Sequence, residues 1–252
     1  MAVSIASAPG CDDRSPAPAD GGSAGDLLLL AAASTTDAVT EIAASFERET
    51  GIAVKVSAAG SNALAAQIIA GAPGHVFLSA NPRWAKAVAE EGLALDTRDL
   101  LSNRLVLVVP VGNPARIAAP RDLLSKEVSH VALAGENVPA GIYAGEALRA
   151  AGIYEKLIEE GRVARGQDVR LTLAYVETAE AQAGVVYATD AAVSGKAEVV
   201  HTFDPASHEP IVYPIVLLET ARESPEARRF YEYLQGGEAA AVFRKFGFSP
   251  AE

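Results

Sequence analysis

Near the amino terminus the chain reads Leu27-Leu28-Leu29-Leu30-Ala31-Ala32-Ala33-Ser34-Thr35-Thr36-Asp37. The apolar run is too short for a long helix, and the hydroxyl residues after it are typical of a tight turn and a helix start. Beyond the turn, apolar side chains recur at helical spacing at Val39, Ile42, Ala43 and Phe46. We therefore predict a buried strand, a turn and an amphipathic helix.

A junction of this kind can hold an anion. The first N–H groups of a helix have no acceptor within the helix, and the positive end of the helix dipole lies beside them. Ser34 adds a hydroxyl at this place. On this stretch alone, however, the more ordinary role of Ser34, Thr35 or Thr36 is to cap the helix.

The alternation of apolar runs and amphipathic segments continues along the chain. Further strands are predicted at 53–58, 76–78, 105–110, 131–134, 184–187 and 212–218. Further helices are predicted at 63–70, 82–91, 168–177, 227–234 and 239–246, with one more after Gly141 that reaches Ala151. Strands that alternate with helices indicate an α/β fold whose sheets are mostly parallel and covered on both faces.

We predict three parts in the chain. Residues 1–25 are rich in Pro, Gly, Ser and Asp, so they form a disordered tether. Residues 26–104 with 205–252 form lobe I, and residues 105–204 form lobe II. Two crossings between the lobes then make a hinge. Ligands of open α/β sheets sit beyond the carboxyl ends of the strands, so several strand-to-helix turns are expected to face one cleft.

The first ten residues are mildly apolar, rich in small side chains, and end at Cys11. This pattern resembles the remnant of a bacterial lipoprotein signal, in which the cysteine carries the lipid. We therefore expect an exported protein. A basic segment is missing and Pro9 adjoins the cleavage point, which indicates a shortened start. A lipid on Cys11 stays open at this point.

Composition excludes several classes of function. The net charge of −11 over 252 residues would repel nucleic acids and anionic membranes. No run approaches the roughly 18 apolar residues of a membrane-spanning helix. Cys11 is the only cysteine, so an intramolecular disulfide cannot form, and the four histidines stand singly without the spacing of metal ligands.

Three junctions of strand, small or hydroxyl residue and helix start recur, at Ser34, Ser61 and Ala140. A fourth helix start lies at Asp168-Val169, and Tyr187 ends a short apolar strand. This set is rich in hydrogen-bond donors and poor in free acceptors. Such a site should prefer a fully deprotonated tetrahedral oxyanion, because the proton of hydrogen phosphate would be left without an acceptor.

At this point the residues from about Leu27 to Phe248 resemble the periplasmic molybdate-binding proteins that deliver molybdate or tungstate to an ABC transporter. The matching motifs are Ala31-Ala32-Ala33-Ser34, Gly60-Ser61-Asn62-Ala63-Leu64-Ala65-Ala66-Gln67-Ile68, Gly71-Ala72-Pro73, Val76-Phe77-Leu78-Ser79-Ala80, Val138-Pro139-Ala140-Gly141-Ile142-Tyr143-Ala144, Asp168-Val169-Arg170, Gly184-Val185-Val186-Tyr187 and the terminal helices Phe230-Tyr231-Glu232-Tyr233-Leu234 and 243–248. The resemblance implies a two-lobed periplasmic binding protein of type II-like fold with mixed, mostly parallel sheets.

Carried over residue by residue, the resemblance implies oxyanion contacts at Ser34 and Ser61 through hydroxyl and N–H, at Ala140 and Val169 through N–H, and at Tyr187 through its phenol. A metal would be bound there only as molybdate or tungstate, not as a bare cation. The resemblance further implies no catalytic residue, no cofactor, an extracytoplasmic monomer and an ABC permease as partner. This sequence departs from the family's pattern at three positions. His75 stands where the family commonly has an acid, and Gly60 and Asn62 stand where it often has serines.

Some alternatives stay open. The cargo could be sulfate, phosphate or a ferric complex, although only Tyr187 is placed to ligate iron. Ser34 or Ser61 could be a nucleophile, but neither lies in a G-x-S-x-G motif or has a histidine in a motif that supplies a base. We interpret Arg170 as a solvated or salt-bridged helix residue, and Tyr143 and Trp84 as packing residues.

Overall fold

The computed structural model describes residues 27–251 of the chain. The predicted tether at 1–25, and Cys11 within it, lie outside the described residues. Between 27 and 251 there are eleven strands and nine α-helices, joined in places by short 3-10 turns. No helix in this range is long and apolar enough to cross a bilayer.

The strands are β1 (Leu27–Ala32), β2 (Val54–Ala59), β3 (Val76–Leu78), β4 (Ala94–Ser102), β5 (Leu105–Pro110), β6 (Val131–Ala134), β7 (Val163–Gly166), β8 (Ala183–Tyr187), β9 (Ala197–Thr202), β10 (Val212–Leu218) and β11 (Ser249–Pro250). The helices are α1 (Thr36–Thr50), α2 (Ser61–Ile69), α3 (Pro82–Glu90), α4 (Pro139–Ala150), α5 (Tyr154–Glu159), α6 (Val169–Glu177), α7 (Ala188–Val193), α8 (Pro225–Leu234) and α9 (Gly237–Lys245).

These strands form two sheets. The six-stranded sheet has the order β11-β4-β10-β3-β1-β2, and the five-stranded sheet has the order β7-β6-β8-β5-β9. We call the six-stranded sheet with α1, α2, α3, α8 and α9 the first lobe, and the five-stranded sheet with α4 to α7 the second lobe. The chain crosses between the lobes after β4 and again after β9. The predicted two-lobed α/β class is confirmed.

The sheets are mixed, as predicted, but they are not mostly parallel. Four strand pairs are parallel and five are antiparallel. A parallel neighbour requires a crossover connection, usually through a helix. Strands β5 and β10 come directly after a lobe crossing, and each runs antiparallel to both of its neighbours. The prediction missed this because it rested on the alternation of strands and helices, and neither β5 nor β10 is joined to the preceding strand of its own sheet by a single helix.

Strand β1 is buried on both of its faces, which explains its unbroken apolar run. Leu29 packs with Phe46 of α1 in the larger hydrophobic cluster. Leu30 packs with Leu64 of α2 in a second cluster on the opposite face. Successive residues of a strand point to opposite faces, so α1 and α2 cover the sheet from two sides. This packing holds the turn after β1 in place.

Candidate functional site

A cavity lies between the lobes, at the carboxyl ends of parallel strands. Thirteen residues line it, and they include all five positions predicted to contact an oxyanion: Ser34, Ser61, Ala140, Val169 and Tyr187. Its empty volume is about 210 Å³. Part of that space is open to solvent.

Both lobes contribute to the cavity. From the first lobe, Ser34 lies in the short 3-10 turn after β1, and Ser61 is the first residue of α2. From the second lobe, Ala140 is the second residue of α4, Val169 is the first residue of α6, and Tyr187 ends β8. A ligand in the cavity would therefore touch both lobes at once.

Three helix amino termini meet at the cavity. Ser61, Ala140 and Val169 each stand in the first turn of a helix, where backbone N–H groups have no acceptor in their own helix. The aligned peptide dipoles also place partial positive charge there. The cavity wall is therefore built to receive negative charge without a cationic side chain.

Gly141 allows α4 to approach the end of β6. A Cβ atom on Gly141 would overlap the carbonyl oxygens of Ala134 and Gly135, so only glycine fits between helix and strand. Backbone thus packs directly on backbone at this point. The close contact places Ala140 in the wall of the cavity.

The two serines are buried and do not cap helices with their side chains. Ser34 Oγ lies 3.1 Å from the hydroxyl of Tyr213, and Ser61 Oγ accepts a hydrogen bond of 2.9 Å from the N–H of Ala80. The cap of α1 is Thr35, whose side chain makes no capping bond. Sequence reasoning missed Tyr213, which is 179 positions from Ser34, because only the folded chain brings them together.

Tyr187 places an unpaired hydroxyl at the cavity. The side chain is 1% exposed, and its hydroxyl has no hydrogen-bond partner among residues 27–251. Burial raises the pKa of Tyr187 well above that of a free phenol, with nearby Tyr213 adding to the shift. The group is therefore a protonated donor at neutral pH, and an anion in the cavity would satisfy it.

Asp168 is the only carboxylate that lines the cavity within the described range, and no lysine, arginine or histidine there lines it. One of its two carboxylate oxygens is already used, because Oδ1 accepts from the N–H of Leu171 at 2.9 Å and caps α6. No cluster of three or more metal-ligating side chains was found between residues 27 and 251.

Arg170 adjoins the cavity but is paired with carboxylates, which confirms its interpretation as a salt-bridged residue. Its Nη2 lies 2.6 Å from Asp37 of α1, and its Nε lies 2.7 Å from Asp190 of α7. Asp190 is fully buried, and burial raises its pKa to about 7 although Arg170 opposes the shift. The pair with Asp37 connects the second lobe to the first.

Tyr143 and Trp84 lie outside the cavity wall, as expected of packing residues, but both also bridge the lobes. Asn81 of the first lobe donates from Nδ2 to the Tyr143 hydroxyl at 2.8 Å. Trp84 Nε1 donates to the carbonyl of Asn137 in the second lobe at 3.1 Å. The lobes are thus held together by direct hydrogen bonds beside the cavity.

His75 has a structural role at the amino ends of β1 and β3, opposite the ends that face the cavity. Its Nδ1 accepts a 3.0 Å hydrogen bond from the N–H of Leu28, near the start of β1. Burial lowers its pKa, which favours the neutral ring that this bond requires. The departure from the family's acid at this position therefore does not alter the cavity wall.

Comparison with known proteins gives consistent matches. The profile of the family described as "Bacterial extracellular solute-binding protein" matches residues 27–249. The molybdate-binding protein ModA of Escherichia coli is 39% identical over 235 residues, or 89% of each chain. The "putative ABC transporter substrate-binding lipoprotein YvgL" of Bacillus subtilis is 38% identical, covering 88% of this chain and 86% of the relative.

A solved structure gives the same result for the fold. The periplasmic molybdate-binding protein of Azotobacter vinelandii superposes with a TM-score of 0.80 at 23% identity, covering 90% of this chain and all of the other. At this identity the match bears on the fold alone. Because the match spans 90% of this chain, it includes residues of both lobes.

Proposed function

Because the chain belongs to the ModA family of bacterial extracellular solute-binding proteins, we propose that it captures molybdate or tungstate between its two lobes and delivers the anion to an ABC permease. The single observation that carries this proposal is the cavity itself. Side-chain and backbone donors from both lobes line it, and no cationic side chain among the described residues does so.

The donor set favours a tetrahedral dianion that carries no proton. Ser34, Ser61 and Tyr187 supply hydroxyls, and Ala140 and Val169 supply backbone N–H groups. The one carboxylate among the described lining residues, Asp168, already uses Oδ1 to cap α6, which leaves only Oδ2 for a ligand proton. A protonated anion such as hydrogen phosphate would bury an unpaired donor unless its proton reached that oxygen, and an unpaired buried donor costs about 1–3 kcal/mol.

The affinity expected of such a cage is adequate for a transport protein. Hydrogen bonds to a charged group contribute about 1.5–3 kcal/mol each. Five residues offering about seven donors, two of them through both hydroxyl and N–H, could exceed the roughly 8 kcal/mol of micromolar binding after the costs of association. Molybdate and tungstate have nearly the same size and charge, so we expect both to bind.

Hydrolysis by a serine nucleophile has less support. A nucleophilic serine needs a base within hydrogen-bond reach. Ser34 contacts a phenol and Ser61 contacts a backbone N–H, and within residues 27–251 no histidine or lysine lines the cavity. We therefore propose binding without catalysis or a cofactor.

Placement outside the cytoplasm follows the family's description as extracellular. We further propose that the protein acts as a monomer and that Cys11 carries a lipid, since the B. subtilis relative is described as a lipoprotein. Detergent phase partition of the exported protein tests the lipid. Wild type should enter the detergent phase and Cys11→Ser should not, whereas equal partition would contradict lipidation.

Titration calorimetry with molybdate, tungstate, sulfate and phosphate tests the proposed function. We expect sub-micromolar binding of molybdate and tungstate and at least 100-fold weaker binding of phosphate, which corresponds to about 2.7 kcal/mol. Absence of heat with all four anions would overturn the proposal. Preferential binding of sulfate or phosphate would show that the bound anion is not molybdate or tungstate, while the cavity would remain an oxyanion site.

Closure of the lobes should contribute to affinity through the bonds that bridge them. Trp84→Phe removes the N–H that reaches Asn137, and a bond of this type contributes about 0.5–1.5 kcal/mol. We expect molybdate affinity to fall by about 2- to 12-fold in calorimetry. Tyr233→Phe is the matched control, because it loses hydrogen bonds that stay within the first lobe. Equal losses in both variants would contradict a role in closure.

A further inference from the structure

The hydroxyl oxygens of Ser34 and Ser61 at the cavity each lie within hydrogen-bond distance of another protein group. For Ser61 the direction of the bond is unambiguous. The partner is the backbone N–H of Ala80, which can only donate, at 2.9 Å from Oγ. The proton of Ser61 is therefore left for a group in the cavity.

For Ser34, which group donates and which accepts follows from a series of hydrogen bonds that begins at Asn103, where the chain first crosses between the lobes. The N–H of Arg104 donates to Asn103 Oδ1 at 2.8 Å, which identifies the oxygen of that amide. The other end of the amide, Nδ2, must therefore donate. It does so to Thr189 Oγ1 at 2.9 Å and to the Tyr213 hydroxyl at 3.2 Å.

The Tyr213 hydroxyl in turn donates its proton to Ser34. Its side chain is fully buried, and burial raises the pKa of its phenol well above the usual value, so the hydroxyl keeps its proton. The oxygen already accepts from Asn103, and its proton needs an acceptor because an unpaired buried donor is costly. Ser34 Oγ at 3.1 Å is the acceptor in contact with it.

We propose that Asn103 and Tyr213 are positioning residues that hold Ser34 as a donor toward the cavity and thereby select against oxyanions that carry a proton. The proposal deepens the proposed function and rests on it. With Tyr213 donating to Ser34 and Ala80 donating to Ser61, both serines present protons to the ligand. Hydrogen phosphate would then meet a proton where its own proton needs an acceptor.

The position of Asn103 adds a link to the hinge. The residue lies between β4 and β5, where the chain passes from the first lobe to the second. Its amide contacts Thr189 in the second lobe and Tyr213 in the first. The relative placement of the lobes at the hinge and the direction of the Ser34 proton therefore depend on the same side chain.

A double-mutant cycle separates this role from a general structural one. Tyr213→Phe should weaken molybdate binding about 10-fold in the wild-type background and less than 2-fold in the Ser34→Ala background. Tyr143→Phe is the matched control, because it deletes a buried phenol whose bond to Asn81 does not involve Ser34. Equal losses from Tyr213→Phe in both backgrounds would overturn the proposal.

Selectivity supplies the second readout. At pH 8 the main phosphate species carries a proton whereas sulfate does not. In Tyr213→Phe, Ser34 becomes free to accept, so the ratio of molybdate to phosphate affinity should narrow about 10-fold while the ratio of molybdate to sulfate stays constant. Competition against bound molybdate measures both ratios. A parallel change in both ratios would indicate a loosened cavity and contradict the proposal.

Two controls keep the outcomes distinct. If Tyr213→Phe does not fold, Asn103→Ala removes the donor to the phenol while leaving the phenol in the core, and the same cycle with Ser34→Ala applies. If the wild-type protein itself binds none of the oxyanions, the proposed function fails. Tight wild-type binding with an additive cycle rejects only the positioning role of Asn103 and Tyr213.

Discussion

Replacing Ser34 and Ser61 together by alanine is expected to weaken molybdate binding by about 3–6 kcal/mol. Each hydroxyl would donate to a charged oxygen, and such bonds contribute about 1.5–3 kcal/mol each. Both serines line the cavity and come from the same lobe, so the variant removes the side-chain donors of the first lobe and leaves its backbone donors. Titration calorimetry, with displacement where binding becomes weak, measures the change.

The same variant should fold but lose some stability. The Tyr213 hydroxyl and the Ala80 N–H lose their acceptors, and each buried unpaired donor costs about 1–3 kcal/mol. Ser79→Ala is the matched control, because Ser79 is a fully buried serine of the first lobe that does not line the cavity. Affinity unchanged in the double variant would show that the two turns serve only the fold.

Val169→Pro is expected to weaken molybdate binding by about 1.5–3 kcal/mol, or roughly 10- to 150-fold, by deleting one backbone donor. Proline is favoured at the first position of a helix, which is where Val169 stands in α6. The preceding Asp168 has φ of −150° and ψ of −179°, an extended conformation that a following proline permits. The helix should therefore persist.

Val169→Ala provides the control for this change. It shortens the side chain and keeps the N–H, so we expect affinity within about threefold of wild type, since apolar side-chain contact with an anion contributes little. Circular dichroism checks that α6 is retained in both variants. Equal affinity in the proline and alanine variants would mean that the Val169 N–H does not bind the ligand.

The elements predicted well from the sequence are those whose signals are local. Strand β1 is a run of apolar residues, and α1 follows it with clear helical spacing. In the same way, α3 begins at Pro82 after Asn81, whose side chain caps it. Each of these signals lies within a few residues and does not depend on the rest of the fold.

The short helices α5 and α7 were not predicted, and the strands that were missed are those whose identity depends on distant partners. Strand β4 reads Ala-Leu-Asp-Thr-Arg-Asp-Leu-Leu-Ser, with charged residues in its middle. It is a strand because β10 and β11 supply its hydrogen bonds from the other end of the chain. Strands β7 and β9 are similarly short or exposed edge strands. Local pattern gives no strong sign of such pairing.

In the candidate site, too, the features with local sequence signals were predicted and those that depend on distant contacts were not. The turns that contain Ser34, Ser61 and Ala140 were predicted from strand-to-helix junctions, and the family resemblance added which of their atoms would contact the ligand. The supporting contacts of Tyr213 were not predicted. Tyr213 is 110 positions from Asn103, and nothing near it in sequence marks it as part of a site.

The central claim is that donors from both lobes hold one oxyanion in this cavity. A crystal structure with molybdate, with anomalous data at the molybdenum edge, tests it most directly. One molybdenum peak is expected between the lobes, with its oxygens within about 2.7–3.2 Å of the Ser34, Ser61 and Tyr187 hydroxyls and the Ala140 and Val169 nitrogens. A peak elsewhere, or an anion held by lysine or arginine side chains, would contradict the claim.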